Sequence, residues 1–263
     1  MPSSSAVGDW ALAAVVGLVS GVLSGAFGIG GGIVTTPAIR LLLGAPALIA
    51  VGTPLPVIIP AALTGAFAYN RSGRADLRAA LVIALAGALP AVGGALLATR
   101  VGGSIVLVGT ALLILWAATD TILQVLHPPT PLPDETRSTQ LRVLALVGVG
   151  AITGLYSGFF GLGGGFVLVP LLTRWLRFGV KRAVGTSLAT VAILAIPGTV
   201  THALLGNIDW LIAAGLAVGV VPGALLGARI SLGAHDRQIR IAFALLLVVV
   251  GVLLAVTELT GLQ

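Results

Sequence analysis

The stretch Gly25-Ala-Phe-Gly28-Ile-Gly-Gly-Gly32 returns as Gly158-Phe-Phe-Gly161-Leu-Gly-Gly-Gly165, at an offset of 133 positions. Each copy lies inside a long run without Asp, Glu, Lys or Arg, residues 10–39 and 143–173, and a proline follows at Pro37 and Pro170. Interior glycine costs a helix up to about 1 kcal/mol relative to alanine, and proline about 3 kcal/mol. Both runs are therefore predicted to be discontinuous helices, with half-helices starting near Ile33 and Phe166.

The same offset holds on either side of the glycines. Val51-Gly52-Thr53 falls on Val184-Gly185-Thr186, Gly65 on Gly198, Gly73 on Gly206, Asp76 on Asp209 and Gly94-Ala95 on Gly227-Ala228. Apolar, glycine-rich helices resemble one another, but low complexity does not align Pro, Asp and Gly-Thr at one spacing. The chain reads as a duplication. Transmembrane repeat 1 covers 10–126, a Pro-rich linker 127–141 and transmembrane repeat 2 142–258.

Composition decides the solvent. The chain has 263 residues, 57% hydrophobic and 8% charged, against about 25% charged for a soluble domain. Eight stretches lack Asp, Glu, Lys and Arg: 10–39, 41–70, 79–99, 101–119, 143–173, 183–208, 210–228 and 241–257. These approach the roughly 20 residues that a bilayer-crossing helix needs. Hydrocarbon leaves no partner for open backbone groups, so the runs must be helical. The fold class is an all-α polytopic membrane protein built of two homologous four-segment repeats, the first helix of each broken at its Gly-rich motif.

The net charge of +6 is spread over short loops and reads as topology; no nucleic-acid partner is expected. The chain has no cysteine, which excludes disulfides and thiolate chemistry. Residues 1–9 hold no Lys or Arg, so the first apolar segment is expected to be retained rather than cleaved.

Basic residues also arbitrate the symmetry. If the broken elements cross the bilayer, the halves are parallel and Lys and Arg divide nine against five. If they turn back as re-entrant hairpins, the halves are inverted and the division becomes twelve against two, with only Arg40 and Arg100 on the poor side. Cytoplasmic loops collect Lys and Arg, which favours inversion. Either arrangement puts both termini outside.

Paired glycine-interrupted segments point to a midplane binding site, because a new helix N-terminus exposes N–H groups and a dipole that favour an anion. The candidate ligands are the amides of Gly30, Gly31, Gly32, Gly163, Gly164 and Gly165, with the hydroxyls of Thr35 and Thr36. Close helix packing is the other reading of such glycines, and the one preferred for Gly94-Ala95. In the second repeated motif, Thr53, Thr186, Ser187 and Thr190 are candidate donors to substrate oxygens, with capping or bonding to the preceding turn as the alternative. Asp76 and Asp209 are expected to N-cap the helices that follow. His202 and Asn70 are read as interfacial residues. No acidic residue falls in the middle of a predicted span, and neither a His-Glu-x-x-His pair nor a Gly-Lys-Thr loop is present. No catalytic residue, metal or cofactor is expected, and the chain does not read as an enzyme.

The duplicated glycine motif with its downstream proline, Val-Gly-Thr and Gly-x-x-Asp resembles the TauE/SafE sulfite exporter family of membrane permeases, across both halves. The resemblance implies a secondary transporter exporting sulfite, sulfonate or a related sulfur-containing or organic anion across the inner (cytoplasmic) membrane. A small anion and the lipid bilayer are the expected partners, with room for a homo-oligomer. A passive anion channel or uniporter, and a non-transporting assembly or scaffold protein, are the rival readings.

Overall fold

The computed structural model describes residues 4–127 and 139–260. Most of the predicted linker, 128–138, lies outside the described residues. Eleven helices are described: α1 (Ser4–Phe27), α2 (Gly32–Leu42), α3 (Ala47–Gly52), α4 (Pro54–Arg71), α5 (Leu77–Val101), α6 (Gly103–Leu126), α7 (Thr139–Phe160), α8 (Gly165–Arg174), α9 (Val180–Leu204), α10 (Trp210–Gly233) and α11 (Asp236–Thr260).

Eight spans are long and apolar enough to cross a membrane, the third-shortest helix α2 and the short α8 being left out. At 1.5 Å per residue, the 11 residues of α2 and the 10 of α8 reach about halfway through a bilayer core. Both begin within a residue of the expected starts. Pro37 and Pro170, by contrast, do not interrupt a helix but lie inside α2 and α8. Proline removes one backbone bond near the start of each helix, whereas the glycines open the whole turn before it.

The span after the break differs between halves. Pro54, Pro56 and Pro60 crowd the first, which divides at Thr53 into α3 and α4; Ser187, Ala189 and Ile193 stand at those positions in the second, where α9 is continuous. Asp76 caps α5 by accepting from Ala79 N–H at 2.9 Å, and Asp209 caps α10 by accepting from Leu211 and Ile212 at 2.9 and 3.0 Å. Both caps are as expected.

Small residues set the packing. On α1, Cβ atoms added to Gly17, Gly21 and Gly25 would lie 2.1–2.4 Å from the carbonyls of Leu216, Val220 and Ala224 on α10, so these two helices run the same way with backbones in contact. On α7, Gly150, Gly154 and Gly158 meet Ile83, Gly87 and Ala91 of α5 in the same sense. Without water to drive association, such close approach is what holds membrane helices together. Gly94 belongs to this set, since its Cβ would fall 2.1 Å from the Leu155 carbonyl. In contrast, α4 and α9 are antiparallel, with Gly65 against Leu188 and Gly198 against Leu55. The pair α6 and α11 is antiparallel too: Gly251 meets Leu115, and Arg240 donates to the Gln124 carbonyl at 3.1 Å.

One end of the bundle gathers the bases. Arg182 at the start of α9 bonds Asp76 at 2.7 Å, and its neighbour Lys181 donates to the Leu232 carbonyl at the end of α10 at 2.9 Å. The α4–α5 turn, the start of α9 and the end of α10 therefore share this basic end.

Candidate functional site

The two glycine loops, 28–31 and 161–164, meet inside the bundle. Every residue of both is buried. Gly31 and Gly164, with φ of 92° and 84°, take a left-handed conformation as the N-caps of α2 and α8, which residues with a Cβ rarely adopt. The loops touch each other: a Cβ on Gly165 would lie 2.1 Å from the Gly28 carbonyl, and one on Gly32 would lie 2.9 Å from Leu162. Two helix N-termini thus converge from opposite halves of the chain.

Backbone donors are left over there. Gly28 N–H bonds the Ser24 carbonyl and Gly161 N–H that of Ser157, each closing the preceding helix. Among the described residues no backbone acceptor meets the N–H of Gly30, Gly31, Gly32, Gly163, Gly164 or Gly165. These are the orphan donors of a helix start, which a capping side chain, water or a ligand satisfies; neither helix has a capping side chain.

The hydroxyls divide into two groups. Thr35 bonds back to the Gly31 carbonyl at 3.1 Å, and Thr190 to that of Thr186 at 2.9 Å. Ser187 donates to the Gly28 carbonyl at 2.8 Å and so ties α9 to the first loop. Thr53 accepts from Asp209 N–H at 3.0 Å, and Thr186 from Asp76 N–H at 2.9 Å. Thr36 differs, since its hydroxyl is fully buried and has no hydrogen-bond partner.

Ser24 and Thr153 are likewise buried and unpartnered. The atoms nearest a Cβ on Gly31 belong to Ser20 and Ser24, at 3.6–3.7 Å, and those nearest one on Gly164 to Thr153 and Ser157, at 3.0–3.5 Å. Hydroxyls of α1 and α7 therefore flank both helix starts. An unmade hydrogen bond in the interior costs about 1–3 kcal/mol, so an unpartnered hydroxyl beside each helix start, Ser24 at one and Thr153 at the other, calls for a reason. Sequence reasoning did not select Ser20, Ser24, Thr153 or Ser157 as ligands, although the matched positions of Ser24 and Ser157 were the available signal. The second loop has one further tie, the Tyr156 hydroxyl donating to the Gly164 carbonyl.

The middle is closed by two apolar side chains at corresponding positions. Cβ atoms on Gly30 and Gly163 would each contact both Ile58 and Val191, the closest approach being 2.8 Å in each case. Ile58 and Val191 wedge the space between the loops.

His202, read as interfacial, lies two residues before the end of α9. It is fully buried, and its Nε2 lies 3.2 Å from the Gly158 carbonyl of α7. α7 covers this face of α9, while Val200 and Leu204 on its other face are exposed. Asn70 is exposed. Asp120, which ended the fourth charge-free stretch, is instead inside the span Ile105–Leu126, buried and ion-paired with Arg174. Among the described residues no cluster of His, Cys, Asp or Glu could hold a metal ion.

An all-helical bundle of membrane-crossing length with two half-bilayer helices meeting at its centre is a multi-pass membrane protein. Residues 13–254 match the model of the family Sulfite exporter TauE/SafE, and the chain belongs to that family, whose members are membrane transporters. It is 26% identical over 256 residues to a protein of Bacillus subtilis (strain 168) named probable membrane transporter protein YunE, covering 90% of this chain and 94% of the relative. It is 31% identical over 245 residues, 90% of each chain, to a probable membrane transporter protein of Xylella fastidiosa (strain 9a5c). A probable membrane transporter protein of Methanocaldococcus jannaschii is 28% identical over 254 residues, 90% of this chain and 92% of the relative. No solved structure is significantly similar.

Proposed function

We propose that the protein is a secondary transporter that exports a small oxyanion, sulfite or a sulfonate foremost, across the cytoplasmic membrane by alternating access. The observation that carries this reading is the meeting of two helix N-termini whose loop N–H groups meet no backbone acceptor, with the Ser24 and Thr153 side chains packed beside them. Donors without a nearby carboxylate suit an anion. The family's printed name supports sulfite as the first substrate to try.

The two halves act as an inverted pair in this scheme. Antiparallel packing of α4 on α9 and of α6 on α11 supports inversion, as does the Asp76–Arg182 bond, which joins loops that a parallel arrangement would separate by the bilayer. The basic end then faces the cytoplasm and both termini face outward. Ile58 and Val191 close the centre to both sides, as an occluded state requires and an open channel does not.

The test is a thermal-stability screen of the purified full chain against sulfite, thiosulfate, sulfate, sulfonates and carboxylates. A ligand at 100 times its Kd stabilises by about 2.7 kcal/mol, a readily measured rise in Tm. A chain indifferent to every anion in the set would overturn the reading.

A further inference from the structure

Between α6, α7 and the half-helix α8 lies an apolar groove of about 480 Å³. Its floor is formed by Tyr156, Val167 and Leu171, which are buried, and its rim by residues such as Ile152 and Trp116, which are about half exposed. The rim belongs to spanning helices, so the mouth faces hydrocarbon. The groove follows α8 from Val167 to its C-cap Trp175, about 12 Å at 1.5 Å per residue. That is close to the hydrocarbon depth of one leaflet, half of about 30 Å.

α6 and α8 finish at the basic end, since α11, which begins just after α10, meets the end of α6 through the Arg240–Gln124 bond. There the groove runs on into a polar cavity of about 230 Å³ that is lined by Asp120 and Arg174, the two spaces sharing Trp116, Leu171 and Trp175. Asp120 is turned inward: one oxygen accepts from Arg174 and the other from Gln124 at 2.6 Å. Arg174 is the exposed member of the pair, 52% against 9%. Its Nη1 meets Asp120, and a guanidinium carries further N–H donors in the same plane. Trp116 and Trp175 flank it, as tryptophans do at the edge of the hydrocarbon. This set belongs to one half alone. At the repeat offset, Leu253, Leu41, Val249 and Leu42 stand in place of Asp120, Arg174, Trp116 and Trp175.

We infer that groove and cavity together bind one glycerophospholipid of the leaflet at the basic end: an acyl chain lies along α8, and the phosphodiester sits on Arg174 between Trp116 and Trp175. An apolar trough one leaflet deep that ends at an exposed guanidinium matches the order in which a phospholipid presents chain and phosphate. A soluble anion would leave the trough empty, and a plain hydrocarbon would leave Arg174 unused. The lipid braces the second glycine loop. Tyr156, on the groove floor, donates to the Gly164 carbonyl, and Phe160, in its wall, directly precedes Gly161. Leu23 stands in place of Tyr156 at the first loop, so the brace serves one half only. Lipid binding here requires only that the chain lie in a membrane, whatever it transports.

Native mass spectrometry of the purified full chain in detergent counts the lipid it retains. The probes are phosphatidylethanolamine and phosphatidylglycerol with oleoyl chains, dioleoylglycerol, which keeps the chains without the phosphate, and glycerophosphate, which keeps the phosphate without the chains. The expected result is one phospholipid per protein with either headgroup, and binding about tenfold weaker or less for both fragments. Arg174→Gln should weaken phospholipid retention about tenfold, and Arg174→Lys, which keeps the cation, should weaken it less. Ile152→Trp fills the mouth from an exposed rim position and should abolish retention, whereas Val19→Trp, at the matching exposed position of the other half, should leave it unchanged. Dioleoylglycerol retained as well as the phospholipids, or phospholipid retention undiminished by Ile152→Trp, would overturn the site.

Discussion

The hydroxyl of Thr186 in α9 accepts a hydrogen bond from the backbone N–H of Asp76 at 2.9 Å, and Thr53 receives the same bond from Asp209 at 3.0 Å. Each threonine thus fixes the residue that caps a helix of the opposite half. The pair forms two struts, one near each end of the bundle, and Asp76 is also held by Arg182. Thr186→Val removes the acceptor and keeps the shape, leaving a part-buried N–H unpaired. We expect a loss of about 1–3 kcal/mol, read as a lower Tm of the purified protein. Thr53→Val should cost a similar amount, and the double variant the sum, because the struts are distant and share no partner.

The unpartnered hydroxyls should behave in the opposite way. Ser24→Ala, Thr36→Val and Thr153→Val each delete a buried polar group that bonds nothing in the protein. Stability should hold or rise, because no made bond is lost. Anion binding should fall, by about tenfold for each donor lost. Thermal melts with and without sulfite separate the two effects. Variants that lose stability without changing the sulfite-induced shift would assign these hydroxyls to structure alone.

Adjacent glycines on α5 offer a sharp contrast. A side chain at Gly94 would run into the Leu155 carbonyl 2.1 Å away, while Gly93 has nothing within 4 Å. Gly94→Leu should therefore prevent the α5–α7 contact and abolish monodisperse protein on size exclusion. Gly93→Leu, facing lipid, should elute and melt like the parent.

Trimming the central wedge should loosen the closed state. Ile58→Ala removes a fully buried side chain that contacts both glycine loops, and core truncations of this kind cost about 2–5 kcal/mol. The double variant with Val191→Ala should pass sulfite through proteoliposomes faster than the parent and with weaker saturation. Unaltered flux in a folded double variant would show that the wedge does not limit passage.

Much of this arrangement was legible in the sequence. The glycine clusters and the aspartate caps act locally, through backbone freedom and side-chain reach over three residues, so spacing alone located both half-helices and both caps. Asp120 escaped because charge-free windows end at a charge, whereas a helix continues when a partner such as Arg174 neutralises it. The burial of His202 was hidden for a related reason: it depends on α7, a distant element whose Gly158 carbonyl meets the imidazole. The unmet hydroxyls of Ser24 and Thr153 were invisible too. Whether a hydroxyl finds an acceptor is decided by packing, and the repeat alignment shows only that a hydroxyl stands there.

Orientation can be read on the same cysteine-free background. Ser72→Cys lies in the turn of the basic end, and Arg100→Cys at the far end of α5. With the basic end inside, an impermeant thiol reagent should label Arg100→Cys in intact cells and reach Ser72→Cys only after permeabilisation. The reverse pattern would turn the molecule over.

The side-by-side packing of α1 on α10 also governs how the chain can be made. Gly17 meets Leu216, and Gly25 meets Ala224, each pair 199 positions apart in the sequence. α1 leaves the ribosome well before α10 and must wait in the bilayer, its glycine face bare, until α10 has been inserted. Neither half can mature alone, and a ribosome that stalls between them leaves a product that quality-control proteases can recognise by that uncovered face.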